Sequence, residues 1–185
     1  MTPMPVLVRS VQPADFAAWQ PLWDGYNAFY GREGATALAP AITRTTWQRF
    51  LDPDEPVFAL DAESGGRLAG LAHYLYHRST TRIEPTCYLQ DLFTAPGERG
   101  RGIGRALIEG VYAAARAAGI GRVYWQTHEG NAAARRLYRH GAARGLHRLR
   151  TGRDGDRRRT RADAAPARVS ESAFIVGAAA GADAS

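Results

Sequence analysis

The chain has 185 residues, enough for one compact domain with its own hydrophobic core and too few for two ordinary ones. It contains no run of 18 apolar residues and opens on MTPMPVLVRS rather than on a basic-then-apolar leader, so neither a membrane span nor secretion is expected and the expected location is the cytoplasm. The net charge of +6 is carried by arginine alone and is unevenly placed: residues 1–138 hold 14 arginines against 13 acids, residues 139–185 hold ten against five with Phe174 as their one aromatic, and nucleic acid is therefore not an expected partner.

In chain order, residues 6–11 read as a short strand. A helical stretch follows to about residue 30, with Phe16, Trp19, Trp23, Tyr26 and Tyr30 at spacings of three and four, hence on one face. That stripe suits a core-facing surface, and Tyr26 or Tyr30 could instead reach a substrate pocket beside the Gly- and Ala-rich loop that follows. A second helix is expected over residues 43–51, from a Thr cap to the turn before Asp52-Pro53. The period then changes to alternation: PVFALDAE and RLAGLAHYLYHRS flank Ser64-Gly65-Gly66, the pattern of a β-hairpin. His73 and His77 fall on one side of the second strand and are expected to face solvent. A third strand is expected in PTCYLQDLFTAP, bounded by Pro85 and Pro96, with the lone Cys87 as a small core residue. A long Ala-rich helix is expected from Ile103 to about Ala118, closed by Gly119. A strand over residues 122–127 and a last helix opened by Asn131 complete the order β-α-α-β-β-β-α-β-α.

The informative unit is strand, then GERGRG, then helix. A helix N-terminus leaves several backbone N–H groups unpaired and carries partial positive charge, so glycines that let a phosphate approach them make an anion site. Arg99, Arg101 and Arg105 add full charges, and the loop reads as a diphosphate cradle. A Walker loop is excluded, because it ends in a lysine and the chain has none. A dinucleotide fold would place its glycine loop after the first strand of a parallel sheet, and here the loop follows a meander of antiparallel strands. The histidines, at 73, 77, 128, 140 and 147, show no metal-ligand spacing, and no metal is expected.

Arg99-Gly100-Arg101-Gly102-Ile103-Gly104 fits the [QR]-x-x-G-x-[GA] signature at the head of a helix. The longer string CYLQDLFTAP…RGRGIGRALIEGVY…RVYWQTHEGNAAARRLY resembles the GNAT superfamily of N-acetyltransferases, in the branch of the yeast-type histone and polyamine enzymes. The likeness is firm over residues 86–138 and looser from 5 onward. It implies an α+β fold with a central, mostly antiparallel sheet flanked by helices, and direct transfer of an acetyl group from acetyl-CoA to a primary amine. It further implies that the backbone of Leu92, Phe93 and Thr94 pairs with the pantetheine arm, that the amides of Arg99, Gly100, Arg101, Gly102, Ile103 and Gly104 hold the diphosphate beside Arg105, and that Asn131 lies near the cofactor arm. A backbone N–H near Leu92 or Phe93 would stabilise the oxyanion, and Tyr138 would protonate the departing thiolate. Asp91, with Glu84 behind it, is the candidate base; the polyamine enzymes carry a pattern like YLED, and this chain departs from it at Gln90. An amine substrate is the expected partner, and the family's habit of pairing sheet edges makes a homodimer the other candidate.

The resemblance stops after Tyr138. Residues 139–185, rich in Arg, Ala and Gly, have little periodicity and read as a disordered tail, where the family would continue into further strands. Gly145 to Arg150 can be encoded so that reading one base later yields Gly-Phe-Ile-Val-Tyr, a strand of the family's kind. A frameshift near Tyr138 is therefore one expectation, with the C-terminal strands missing or replaced. The alternatives to an active enzyme are a damaged family member and a polyanion-binding protein acting through its tail.

Overall fold

The computed structural model describes residues 5–128 and 149–152. They form β1 (Val6–Ser10), α1 (Phe16–Phe29) behind a single 3-10 turn at Pro13–Asp15, α2 (Pro40–Leu51), β2 (Val57–Ser64), β3 (Arg67–Ser79), β4 (Arg82–Thr94), α3 (Ile103–Ala117), β5 (Val123–His128) and β6 (Leu149–Gly152). The strands make one sheet in the order β1-β2-β3-β4-β5-β6. Pairing is antiparallel from β1 to β4, then parallel for β4–β5 and β5–β6. The sheet is thus mixed, with the antiparallel part dominant, and helices cover both of its faces.

Local chemistry explains most element ends. Gly65 and Gly66, at φ 60° and 74°, supply the two positive φ values that a two-residue hairpin turn needs between β2 and β3. At the end of α3 the Gly119 N–H donates to the Arg116 carbonyl (3.0 Å) and the Ile120 N–H to that of Ala115 (2.8 Å), with Gly119 left-handed at φ 73°. That is a Schellman cap, as the glycine foretold.

Three boundaries differ from expectation. Helix α2 starts at Pro40 rather than Thr43, because a proline at the first helical position loses no hydrogen bond and is set to helical φ; Thr43 lies buried inside the helix. Strand β4 begins at Arg82 and runs through Pro85. The β3–β4 register shifts between His77 and Ser79, so the residue that cannot donate sits at an irregularity rather than in a regular ladder. The third difference is β6, a short strand inside the segment read as disordered. It needs only main-chain groups to pair with the outer edge of β5, and no hydrophobic pattern announces such pairing.

The sheet divides two cores. On one face α3 packs Ile103, Leu107, Ile108, Val111 and Tyr112 onto Leu60, Ala72, Tyr74, Cys87, Leu89 and Trp125. On the other, α1 and α2 bring Trp19, Leu22, Trp23, Tyr26 and Trp47 onto Leu71 and Phe93. The expected aromatic stripe of α1 is a run of ring contacts: Trp19 and Trp23 stack at 5.8 Å, Trp23 and Tyr26 stack at 5.3 Å, and Tyr30 is tilted against Tyr26 at 5.0 Å. Its first members fill the core, while Tyr30 is 47% exposed. Cys87 is fully buried, in keeping with a small core residue.

Candidate active site

Strand β4 changes phase in its middle. Asp91 pairs with His73, yet Tyr74 pairs with Leu89, so Gln90 is an extra residue, a β-bulge. Before it, Cys87 and Leu89 face α3; after it, Leu92 does so. Without the bulge, strict alternation would have sent Asp91 to the α3 face. With it, Asp91 shares the α1 face with Tyr88 and Phe93.

The same place is where the sheet opens. Pairing of β4 with β5 covers Cys87↔Val123, Tyr88↔Tyr124 and Leu89↔Trp125, and β5 then runs on beside β6 alone. The last five residues of β4 thus have β3 on one side and, among the described residues, no paired strand on the other. Which backbone groups face that gap follows from the ladder. The Ala95 N–H donates to the Ala69 carbonyl (2.9 Å), so in an antiparallel pair Phe93 points its groups at Leu71, while those of Leu92 and Thr94 point away from β3. Of the three residues expected to bind a pantetheine arm, Leu92 and Thr94 face the opening. Phe93 contributes a buried ring, edge-on to Tyr26 at 6.4 Å.

Beyond Thr94 the chain turns through Pro96–Glu98 into Arg99 and Gly100 and enters α3. Gly100 (φ 79°) and Gly102 (φ 84°), the latter the residue that caps α3, are both left-handed, and a Cβ at either would meet nothing within 4 Å. Glycine is required here for backbone conformation, and the space beside it is open. The Ala106 N–H takes the Gly102 carbonyl (3.0 Å), so the amides of Ile103, Gly104 and Arg105 stand before the first helical hydrogen bond. The Ile103 side chain is buried and anchors the helix start on the sheet. Not all the arginine charge is free. Arg101 pairs with Glu98, which also lies 3.7 Å from Arg67, and Arg99 Nε donates to the Thr94 carbonyl at 3.4 Å. Arg105 is exposed.

Asp91 is buried at 6% exposure and 3.0 Å from His73 Nδ1. On the far side of that imidazole, the Trp19 indole N–H donates to Nε2 at 3.1 Å. An indole nitrogen can only donate, so Nε2 must accept. His73 is therefore the neutral tautomer whose Nδ1–H donates to the Asp91 carboxylate. The expectation that His73 faces solvent is overturned: it is 3% exposed, because α1 and α2 cover this face of β3. His77, on the same side, is half-buried, and its Nε2 lies 3.0 Å from the Tyr124 hydroxyl.

Hydroxyls gather around the carboxylate. Burial first, then the charge of Asp91 and a hydrogen bond to it, push the Tyr26 hydroxyl above the usual tyrosine range. Burial and the same charge raise Tyr30. Tyr88 is pushed up to about 12 by burial, with Tyr124, Asp91 and Tyr30 adding to it. All three stay protonated near neutral pH and can donate. Arg32 lies over this group, its guanidinium carbon 5.8 Å from the centroid of Tyr26 and 5.5 Å from that of Tyr30. The carboxylate and the open strand edge thus belong to the same five residues of β4, and the chain runs on from their end into the amide-lined start of α3.

The remaining expected site residues, Asn131 and Tyr138, lie outside the described residues. Glu84 is exposed near the far end of β4 from Asp91 and does not back it. His73, Trp19 and Arg32 were not among the expected site residues. The bulge did leave a signal, since the apolar spacing changes from Cys87–Leu89 to Leu89–Leu92, two residues to three.

Residues 19–142 match the Acetyltransferase (GNAT) family. The chain belongs to that family. The D-amino-acid N-acetyltransferase HPA3 of Saccharomyces cerevisiae is 37% identical to it over 136 residues, 72% of this chain and 81% of the yeast protein. Among solved structures, a transcriptional regulator from Bacillus halodurans C-125 superposes with a TM-score of 0.66 at 17% identity, covering 82% of this chain and 99% of its own. The acetyltransferase AAC(6')-Iy, in complex with a CoA-based bisubstrate analogue, gives 0.64 at 17% identity, covering 84% and 99%. The last two establish the fold. As a GNAT member the chain is an N-acetyltransferase, and acetyl-CoA is the acetyl donor of the family. The family match ends at residue 142, four residues past Tyr138. Among the described residues no helix is long and apolar enough to cross a membrane, and no group of three or more His, Cys, Asp or Glu could hold a metal ion.

Proposed function

We propose that this GNAT acetyltransferase moves an acetyl group from acetyl-CoA directly to the primary amine of a free amino acid, in the gap between β4 and β5. The observation that carries the reading is that, among the described residues, β4 has no β5 partner beyond Leu89, with Asp91 inside that unpaired stretch and the start of α3 following it in the chain. The acceptor class is that named for the yeast relative.

The residues present suit a coenzyme A diphosphate: two left-handed glycines, unpaired amides from Ile103 to Arg105 and the arginines around them favour an anion. Acetyl-CoA supplies an activated acyl group as a thioester. The amides of Arg99 to Gly104 hold its diphosphate, with Arg105 adding charge. Main-chain groups of Leu92 and Thr94 align the arm as an added strand would, and the Leu92 N–H is the donor for the carbonyl oxygen as charge builds there.

Asp91, hydrogen-bonded by His73 Nδ1–H and Tyr26, takes the proton from the incoming ammonium. The amine lone pair then forms the C–N bond as the C–S bond breaks; Tyr138 gives its proton to the departing thiolate, and the proton that the nitrogen sheds on becoming an amide restores the tyrosine. Catalysis then depends on placing two reactants together, with no covalent acyl-enzyme.

The test follows free thiol release from acetyl-CoA with a panel of amines. Release that scales with enzyme and requires an amine is expected. Asp91→Asn should lower kcat by about a hundredfold or more while keeping the stabilisation against heating that coenzyme A gives. If the unmodified chain neither releases thiol nor is stabilised by coenzyme A, the proposal fails.

A further inference from the structure

Arg32 follows α1 and takes no part in any ion pair among the described residues. Its side chain is nonetheless fixed. The Arg32 Nε–H donates to Asn27 Oδ1 at 2.7 Å, and its backbone N–H donates to the Asn27 carbonyl at 2.9 Å. Asn27 is itself immobilised: it is 4% exposed, and its Nδ2 donates to the Trp23 carbonyl at 2.8 Å. That bond decides which end of the amide faces Arg32, since a nitrogen that donates to Trp23 leaves the oxygen for the guanidinium. The guanidinium lies over the rings of Tyr26 and Tyr30, which add cation–π attraction. With Nε engaged, both terminal NH2 groups still point their donors elsewhere, in the planar fork that matches a carboxylate.

The surroundings of Arg32 also bear on the charge pattern of what could be bound. The Tyr26 and Tyr30 hydroxyls feel both charges, the Asp91 carboxylate raising them and the Arg32 guanidinium lowering them. Arg32 lies over the rings of Tyr26 and Tyr30, and the Tyr26 hydroxyl is hydrogen-bonded to Asp91, so the cation and the anion border the same hydroxyl cluster. A molecule that carries an ammonium and a carboxylate on neighbouring atoms presents complementary charges to this pair. A polyamine presents only cations, which Arg32 repels.

We infer that Arg32 is the specificity-determining residue of the acceptor site, reading the carboxylate of an α-amino acid while Asp91 receives its amine. This rests on the transfer reading above and adds a residue to it. Asn27 is the positioning residue that holds the fork.

The experiment compares kcat/KM for an α-amino acid with that for the corresponding primary amine, which lacks the carboxylate, in the wild-type chain, Arg32→Gln and Arg32→Lys. Wild type should favour the amino acid. Arg32→Gln should cut that preference by about tenfold or more, chiefly through KM of the amino acid, since a charge-assisted bond to a bound group is lost. Arg32→Lys, which keeps the charge and loses the fork, should fall between. Melting of each variant with and without coenzyme A shows that the fold and the donor site persist. A preference that survives Arg32→Gln, or a fall of equal size for both acceptors, overturns the assignment. A wild type that acetylates the amine and not the amino acid overturns it too, while leaving the transfer reading standing. If no acceptor of either kind releases thiol, the transfer reading itself falls and takes the assignment with it.

Discussion

Asp61 shows what the sheet does to a charge that no partner meets. It is fully buried on β2, and neither carboxyl oxygen has a hydrogen-bond partner among the described residues. Arg9 is its register partner on β1, but that guanidinium binds Asp15 at 2.6 and 3.0 Å. Burial first, then the charge of Asp15, lifts the Asp61 carboxyl to about 7, against the smaller opposing pull of Arg9. The folded protein therefore holds a proton that the unfolded chain releases near pH 4. Stability from this group is present below about pH 4, falls as pH rises towards 7, and stays low above. Asp61→Asn, which cannot ionise, should be more stable than wild type by a few kcal/mol at pH 8 and nearly equal at pH 4. Urea unfolding at the two pH values measures this; parallel stability curves would count against it. The glycine loop before α3 was legible as a motif, whereas single residues were illegible where their meaning comes from a partner far along the chain. His73 reads as an exposed strand residue until Trp19, 54 positions earlier, is seen to donate to its ring.

At the scale of elements, the site depends on how closely α3 and the end of β4 approach β3, and Gly70 sets that distance. A Cβ there would lie 2.7 Å from the Phe93 carbonyl oxygen, 2.9 Å from Ile103 Cγ2 and 3.2 Å from Leu107 Cδ1. The first obstacle is backbone and cannot rotate away. Gly70→Ala should cost about 1–3 kcal/mol, seen as a lower Tm, and should weaken coenzyme A binding because it pushes the head of α3 away from Thr94. Gly121→Ala, where a Cβ meets nothing within 4 Å, should do neither. A lower Tm in Gly70→Ala with unchanged coenzyme A affinity would separate the two effects and refute the second. Element types were readable from β1 to β5, since 3.6- and 2-residue periods are properties of a segment alone, and β6 was missed because it shows no such period. The starts of α2 and β4 were not, because Pro40 opens a helix and Pro85 sits within a strand, and which role a proline takes depends on neighbours that the segment does not contain.

For the molecule as a whole, the open question is what closes the sheet beyond β5. Strand β6 covers that edge with four residues, pairing Trp125↔Leu149 through His128↔Gly152 in parallel. An uncovered edge offers unpaired N–H and C=O groups to any extended chain, including another copy of this protein. A chain ending at residue 152 should therefore behave like the full one, whereas a chain ending at 148 should self-associate at micromolar concentration and melt lower. Charge cannot account for the difference, because residues 149–152 contain a single charged side chain, Arg150. Sedimentation velocity and melting of the two truncated chains check this. If the shorter one is as monomeric and as stable as the longer, β6 does not protect the edge, and the wall of the cleft on that side must be supplied by something other than residues 149–152.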